Sequence, residues 1–142
     1  PYLPAGARIG RAEVELRLEA EGVRLERGDV VAVFTGYERR RAEGGATAAA
    51  DAGVAGDTLS LWEEAEIAAL GADNLAVEPI PIDYSLHLGA LRGLGLPLGE
   101  LWALEDLVAA SRADGRYEFL FVSVPLSIPG SFGSPLNGVA IR

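Results

Sequence analysis

One continuous apolar run, from Val30 to Phe34, constrains the fold of this chain more than any other segment. Most of its residues are β-branched, the turn signal Arg27-Gly28-Asp29 precedes it, and Thr35-Gly36 ends it. Such a run is typical of a strand that is buried on both faces, as strands are in sheets covered by helices. The run therefore predicts a strand that is buried on both faces, within an α/β fold.

Helical and extended patterns alternate along the rest of the chain. Apolar spacing predicts helices at 8–22, 59–70, 84–94 and 101–111, and extended segments at 72–77, 117–126 and 139–141. Asp57-Thr58 is expected to cap the second helix. Residues 37–56, polar and then rich in alanine and glycine, are predicted to form a flexible surface loop. The alternation predicts an α/β fold, with a mixed sheet and packed helices, in a single domain over residues 1–142.

Composition excludes several classes of function. The net charge is −9, which argues against a nucleic-acid-binding surface and against binding to an anionic membrane. No apolar run approaches the ~18–20 residues that span a bilayer. The chain has no cysteine, which excludes thiolate catalysis and fits a cytoplasmic location. It also has no methionine and begins at Pro1 in what reads as a connecting loop, so we expect a piece of a longer protein.

His87 is the only histidine, and Glu100 follows it thirteen residues later. An imidazole and a carboxylate are both good ligands for zinc or manganese, but a catalytic metal usually has three protein ligands. Either this pair is not a metal site, or its remaining ligands lie outside these residues. Taken alone, His87 is as readily a helix-surface or core histidine, and Glu100 a charge at a helix N-terminus.

Two further places carry candidate site residues. Asp73 and Glu78 flank a predicted strand end, where active sites of α/β proteins gather, although turn capping explains them equally well. Gly133-Ser134-Pro135 is either a turn or a point where the backbone approaches a ligand closely.

Several segments, taken in order, resemble the metal-dependent cyclase family, which includes kynurenine formamidase, isatin hydrolase and a zinc-dependent dienelactone hydrolase. The resemblance covers about residues 2–141 and corresponds to the C-terminal half of such a protein. Its residues are Gly28 to Gly36, Leu70 to Asn74 with Val77-Glu78, His87 to Leu107, Phe119 to Leu126, and Gly133 to Asn137. The family's His-x-x-x-His-x-Asp metal motif would lie upstream of anything present here.

The resemblance implies a swivelling β/β/α fold, of which this chain would be an incomplete half. It implies a hydrolase that attacks an amide, cyclic imide or lactone carbonyl with a metal-activated water. His87 and Glu100 would be catalytic residues and would bind the divalent metal, zinc or manganese. Asp73, Gly133 and Ser134 would contact the small-molecule substrate. The separation of His87 from Glu100 is one residue longer than the formamidases lead us to expect, and we expect residues 93–99 to absorb it.

The partners expected from the resemblance are the missing N-terminal half, or a second chain that carries it, and further copies in a homo-oligomer. The chain would be inactive without that half. One alternative is a non-catalytic binding or scaffold module, a remnant that lacks the metal motif. A second alternative is an unrelated α/β domain whose similarities arise by chance.

Overall fold

The structure is a computed structural model that describes residues 2–45 and 49–142. Its helices are α1 (Arg11–Glu21), α2 (Tyr37–Ala42), α3 (Leu59–Ala65), α4 (Ser85–His87) and α5 (Glu105–Asp114). A 3₁₀ turn (Gly56–Thr58) precedes α3, and a π-helix (Leu88–Leu94) continues α4. The strands are β1 (Arg8–Ile9), β2 (Val30–Val33), β3 (Gly53–Val54), β4 (Ala69–Ala72), β5 (Leu98–Gly99), β6 (Leu120–Val122) and β7 (Val139–Ile141). The predicted α/β fold with parallel and antiparallel pairing is confirmed.

The strand at the centre of the main sheet is β4, and the apolar run forms the edge strand β2, which is not buried on both faces as predicted. The three strands follow the order β2-β4-β5 and are all parallel. As an edge strand, β2 is half-buried throughout, whereas Leu70, Gly71 and Ala72 of β4 are buried. Two smaller sheets pair β1 with β3 in parallel and β6 with β7 antiparallel.

The hydrophobic core joins the main sheet to the helices on its flank. Its fully buried members include Val54, Trp62, Leu70, Val77 and Leu86. Trp62 is satisfied inside this core because its indole N–H donates to the hydroxyl of Thr58 at 2.8 Å. The core therefore includes Val77 and Leu86, which directly precede Glu78 and His87, and fixes them against the sheet.

The predicted helix at 59–70 is wrong beyond Ala65. Glu66 adopts a left-handed conformation with φ of 51°, and its N–H donates back to the carbonyls of Glu63 and Trp62, which ends α3. The chain then enters β4 at Ala69, so the extended segment predicted at 72–77 begins earlier. The predicted cap is also different, because the hydroxyl of Thr58 donates to the carbonyl of Ala55 and does not cap α3.

The segment predicted as a loop, residues 37–56, contains α2, β3 and the start of the 3₁₀ turn, and its residues 46–48 lie outside the described residues. Two of its charged residues, Arg40 and Asp51, are buried and form an ion pair with each other. Asp51 also pairs through its backbone with Ile80. Local composition did not reveal this order because the stabilising contacts come from residues far along the chain.

Three other predicted elements shift or shorten. The helix expected at 101–111 begins at Glu105. The chain before it is not helical because Leu101 has φ of 55°, and the N–H groups of Leu101 and Trp102 donate to the carbonyls of Asn74 and Ala72. The strand expected at 117–126 is only β6, and the helix expected at 84–94 is α4 with the π-helix. Within residues 2–45 and 49–142, no helix combines the length and apolarity that a bilayer crossing requires.

Candidate functional site

The structure brings His87 and Glu100 together. His87 is the last residue of α4, and Glu100 lies in the turn directly after β5. The imidazole Nε2 stands 3.6 Å from Glu100 Oε1, a separation beyond hydrogen-bonding range. The His87 side chain is 21% exposed and that of Glu100 is 45% exposed, so the pair opens to solvent.

Glu78, a candidate from its place at a predicted strand end, contacts His87 directly, a role that the sequence did not assign to it. It is buried, and its Oε2 lies 2.7 Å from His87 Nδ1. Its Oε1 accepts from the backbone N–H of Leu86 at 2.5 Å and from that of His87 at 3.3 Å. The N-cap residue Tyr84 provides no side-chain bond, so the carboxylate of Glu78 caps α4 and contacts its histidine at once. The available signal was an acidic residue between Val77 and Pro79 in an apolar stretch.

The backbone of Glu78 is held in place by two neighbours. The amide of Asn74 donates to three carbonyls, those of Ala52, Val77 and Glu78, at 2.7, 3.2 and 3.3 Å. Gly53 lies so close that a Cβ there would stand 2.3 Å from the carbonyl carbon of Glu78. A glycine is therefore needed at position 53 for the segment to pass.

Asp73 has a well-defined structural environment. One oxygen accepts from the Thr35 N–H at 2.6 Å and the Thr35 hydroxyl at 2.8 Å. The other accepts from Gly36 N–H at 2.8 Å and Tyr37 N–H at 3.0 Å, at the start of α2. Asp73 is 1% exposed, so both oxygens are committed to the protein. Its contact with a substrate stays a prediction.

Gly133 and Ser134 belong to the segment between β6 and β7. The Ser134 hydroxyl accepts from the Leu126 N–H at 3.0 Å, and a Cβ at Gly133 would meet nothing within 4 Å. Across the described ranges, 2–45 and 49–142, no hydrogen bond or ion pair joins either residue to His87 or Glu100. Their role at the substrate likewise stays a prediction.

Asp83 fixes the approach to α4. Its carboxylate accepts from Ser85 N–H at 2.9 Å and forms an ion pair with Arg8 at 3.1 Å. Hydrogen bonding from the Ser85 side chain, then from its backbone, lowers the pKa of Asp83 from 3.8 to about 2. The carboxylate is thus kept ionised at the beginning of the helix that carries His87.

His87 and Glu100 fit two positions of a metal site. With metal–ligand distances of 2.0–2.2 Å and tetrahedral angles, a nitrogen and an oxygen ligand stand about 3.4 Å apart. The observed separation of Nε2 and Oε1 is 3.6 Å. Among the residues that the structure describes, however, no group of three or more histidine, aspartate or glutamate side chains could hold a metal. A complete site would need ligands from elsewhere.

Comparisons with known proteins place the chain among cyclases. The family model described as "Putative cyclase" matches residues 3–79, more than half of the chain. A crystal structure described as that of a novel cyclase is 36% identical, with a TM-score of 0.91 over 99% of this chain and 49% of that chain. A potential metal-dependent hydrolase with cyclase activity shares the fold at 19% identity, with a TM-score of 0.67 over 95% of this chain and 58% of that chain. No curated protein matches. The chain therefore spans about half the length of these structural relatives.

Proposed function

Because this chain belongs to the cyclase family, we propose that it supplies the C-terminal part of the active site of a metal-dependent hydrolase. The proposed substrates are small molecules that carry an amide, cyclic imide or lactone carbonyl. One observation carries the proposal, namely the convergence of His87 Nε2 and Glu100 Oε1 at 3.6 Å on an accessible surface. The description of one structural relative as a potential metal-dependent hydrolase agrees with this chemistry.

His87, through Nε2, and Glu100, through its carboxylate, would hold a divalent cation. Zinc and manganese both accept such nitrogen and oxygen ligands. When bound, the cation lowers the pKa of a water molecule and polarises a carbonyl oxygen. The remaining ligands would come from an N-terminal half of the protein, or from a second chain that carries it.

Substrate contacts and assembly complete the proposal. Gly133 and Ser134 would shape the substrate loop, since glycine before a small hydroxyl residue permits close backbone approach. Asp73 would act near the pocket through the loop that it holds, because both its oxygens are already occupied. We further propose a homo-oligomer in the cytoplasm, a location that fits the absence of cysteine.

The test compares His87→Ala and Glu100→Gln with the wild-type protein. Each is assayed together with any second polypeptide that an intact-mass spectrum detects in the wild-type sample. Both variants should lose metal retained after dialysis, measured by elemental mass spectrometry, and should lose hydrolysis of formamides, cyclic imides and lactones. The chain should remain folded without the imidazole, because Glu78 keeps its two backbone donors.

Glu118→Gln is the matched control, because Glu118 is an exposed carboxylate on the segment before β6. This variant should retain metal and activity. Full activity in His87→Ala would refute the assignment of the site.

A non-catalytic binding or scaffold module is the second candidate function. It is favoured by the lack of any three-ligand group in the part of the chain that the structure describes. A single species of 14.9 kDa in the intact-mass spectrum, with no retained metal, would favour this candidate. A second polypeptide, or one chain of about twice that mass, would favour the hydrolase.

A further inference from the structure

Glu78 is a buried carboxylate whose contacts go beyond capping a helix. We propose that Glu78 is a positioning residue that fixes the Nδ1–H tautomer of His87 and leaves Nε2 unprotonated toward Glu100. The inference rests on the proposed function, in which Nε2 is a metal ligand. An imidazole can bind a cation only through a nitrogen without a proton, so the tautomer decides whether the ring can bind on the side of Glu100.

The donors around Glu78 determine its role. The N–H groups of Leu86 and His87 can only donate, and both point at Oε1. The other oxygen, Oε2, has one hydrogen-bond partner within the part of the chain that the structure describes, His87 Nδ1 at 2.7 Å. A carboxylate there accepts from Nδ1–H, whereas a protonated acid would donate to Nδ1 and place the ring proton on Nε2. With Oε1 already accepting from two fixed backbone N–H groups, Oε2 is the oxygen that faces Nδ1 and accepts from it, which is the first arrangement.

Among residues 2–45 and 49–142, the ring of His87 has no competing partner of similar strength. Its Nε2 is 3.6 Å from Glu100, too far for a hydrogen bond, and Tyr84 meets the ring edge-on with centroids 6.4 Å apart. The carboxylate of Glu78 is buried and accepts from two backbone N–H groups, and Asn74 and Gly53 hold the main chain that carries it. The orientation and the tautomer of His87 therefore depend on the bond to Glu78.

The test reads the tautomer directly. His87 is the only histidine in the chain, so a ¹H–¹⁵N correlation spectrum of the imidazole contains one ring, recorded at alkaline pH where histidine is ordinarily neutral. The wild-type, metal-free protein should show a protonated Nδ1 and an unprotonated Nε2. The Nδ1 proton should be visible in water, because a bond to a buried carboxylate slows its exchange. The opposite tautomer in the wild-type protein would overturn the inference without any variant.

Glu78→Gln provides the second arm. The backbone N–H groups of Leu86 and His87 should retain the amide oxygen, because a buried donor without an acceptor is costly. The amide NH₂ would then face Nδ1 and donate to it, so the ring proton should move to Nε2. A Glu78→Gln protein that is folded by circular dichroism and keeps the Nδ1–H tautomer would also overturn the inference.

A zinc titration followed on the same ring signals separates this inference from the proposed function. Glu78→Gln should bind Zn²⁺ about 10–100-fold more weakly than the wild-type protein, as loss of such outer partners usually does. Glu100→Gln should also bind more weakly but keep the wild-type tautomer, because Glu100 does not contact Nδ1. If the wild-type ring does not respond to zinc in the presence of every polypeptide that accompanies the chain, the metal site fails while the tautomer result still decides the role of Glu78.

Discussion

Asp73→Asn tests whether Asp73 acts as a structural clasp between the end of β4 and the start of α2. The change keeps the size of the side chain and removes its charge. Four donors converge on the wild-type carboxylate, namely Thr35 N–H, the Thr35 hydroxyl, Gly36 N–H and Tyr37 N–H. An asparagine has one acceptor oxygen, so two donors must face its NH₂ group.

The size of the effect follows from which donors lose their acceptor. If the amide oxygen serves Gly36 and Tyr37, the NH₂ group faces Thr35, whose hydroxyl can rotate to accept while its N–H cannot. One buried N–H then lacks an acceptor, which costs about 1–3 kcal/mol, and the surviving bonds lose their charge assistance, about 1 kcal/mol more. We expect the free energy of unfolding to fall by about 2–4 kcal/mol, against a total of about 5–15 kcal/mol for an ordinary domain.

Urea denaturation followed by tryptophan fluorescence measures this loss. At a slope of about 2 kcal/mol per molar urea, the midpoint should fall by about 1–2 M. Asp106→Asn is the control, because Asp106 is exposed in the first turn of α5 and its loss should cost less than about 1 kcal/mol. A midpoint unchanged in Asp73→Asn, with only the KM for substrate altered, would refute the clasp and favour direct substrate contact.

Two other predictions concern the supports of the site. Gly53→Ala should destabilise the chain by about 1–3 kcal/mol in the same denaturation assay, since its Cβ would lie 2.3 Å from the Glu78 carbonyl carbon. Gly133→Ala, which meets nothing within 4 Å, should not. Asp83 has a folded-state pKa of about 2 against an ordinary 3.8, so its stabilising effect is present above 3.8 and is lost as pH falls toward 2. Melting temperatures of Asp83→Asn should therefore converge with those of the wild-type protein across that interval, and a constant difference would contradict this.

The sequence revealed the parts of the fold that depend on local pattern. The α1 helix, the strand β2 and the strand β7 lie close to where apolar spacing placed them. The helix α2 could not be found in this way, because its first N–H groups are satisfied by Asp73, 36 residues away. The strand β4 was missed because Ala69–Ala72 is identified by its pairing with strands on both sides and not by its own composition.

The candidate site likewise has a part that the sequence predicts and a part that depends on contacts between distant residues. His87 and Glu100 were selected through a family resemblance, and their approach depends on tertiary contacts. Glu78 was a candidate at a strand end with turn capping as an equal alternative, and its bond to Nδ1 could not be predicted because it requires the chain to reverse between Pro79 and Ser85. A local pattern gives the residue types of such a site but not which carboxylate faces which nitrogen of the ring.

A π-helix lies between His87 and Glu100, in the stretch whose separation is one residue longer than the resemblance led us to expect. The absorption of the extra residue within residues 93–99 stays a prediction, while the π-helix occupies Leu88–Leu94 and holds more residues per turn than an α-helix does. Glu100 is fixed independently, because Gly99 pairs with Gly71 of β4 and the Trp102 N–H donates to the Ala72 carbonyl. The indole of Trp102 lies against both glycines, where a Cβ would stand 2.4 and 2.5 Å from it.

With Glu100 held by β4 on both sides, and His87 held by Glu78, the segment between them can take an added residue without separating the pair. A deletion of one residue within Leu88–Leu94 should therefore convert the π-helix to an α-helix and leave the zinc response of His87 within about threefold of wild type, by the ring-signal titration. A deletion of Leu101 should instead break the bonds of residues 101 and 102 to Asn74 and Ala72, and so should remove the response. Equal losses in the two deletions would show that the π-helix itself positions the site.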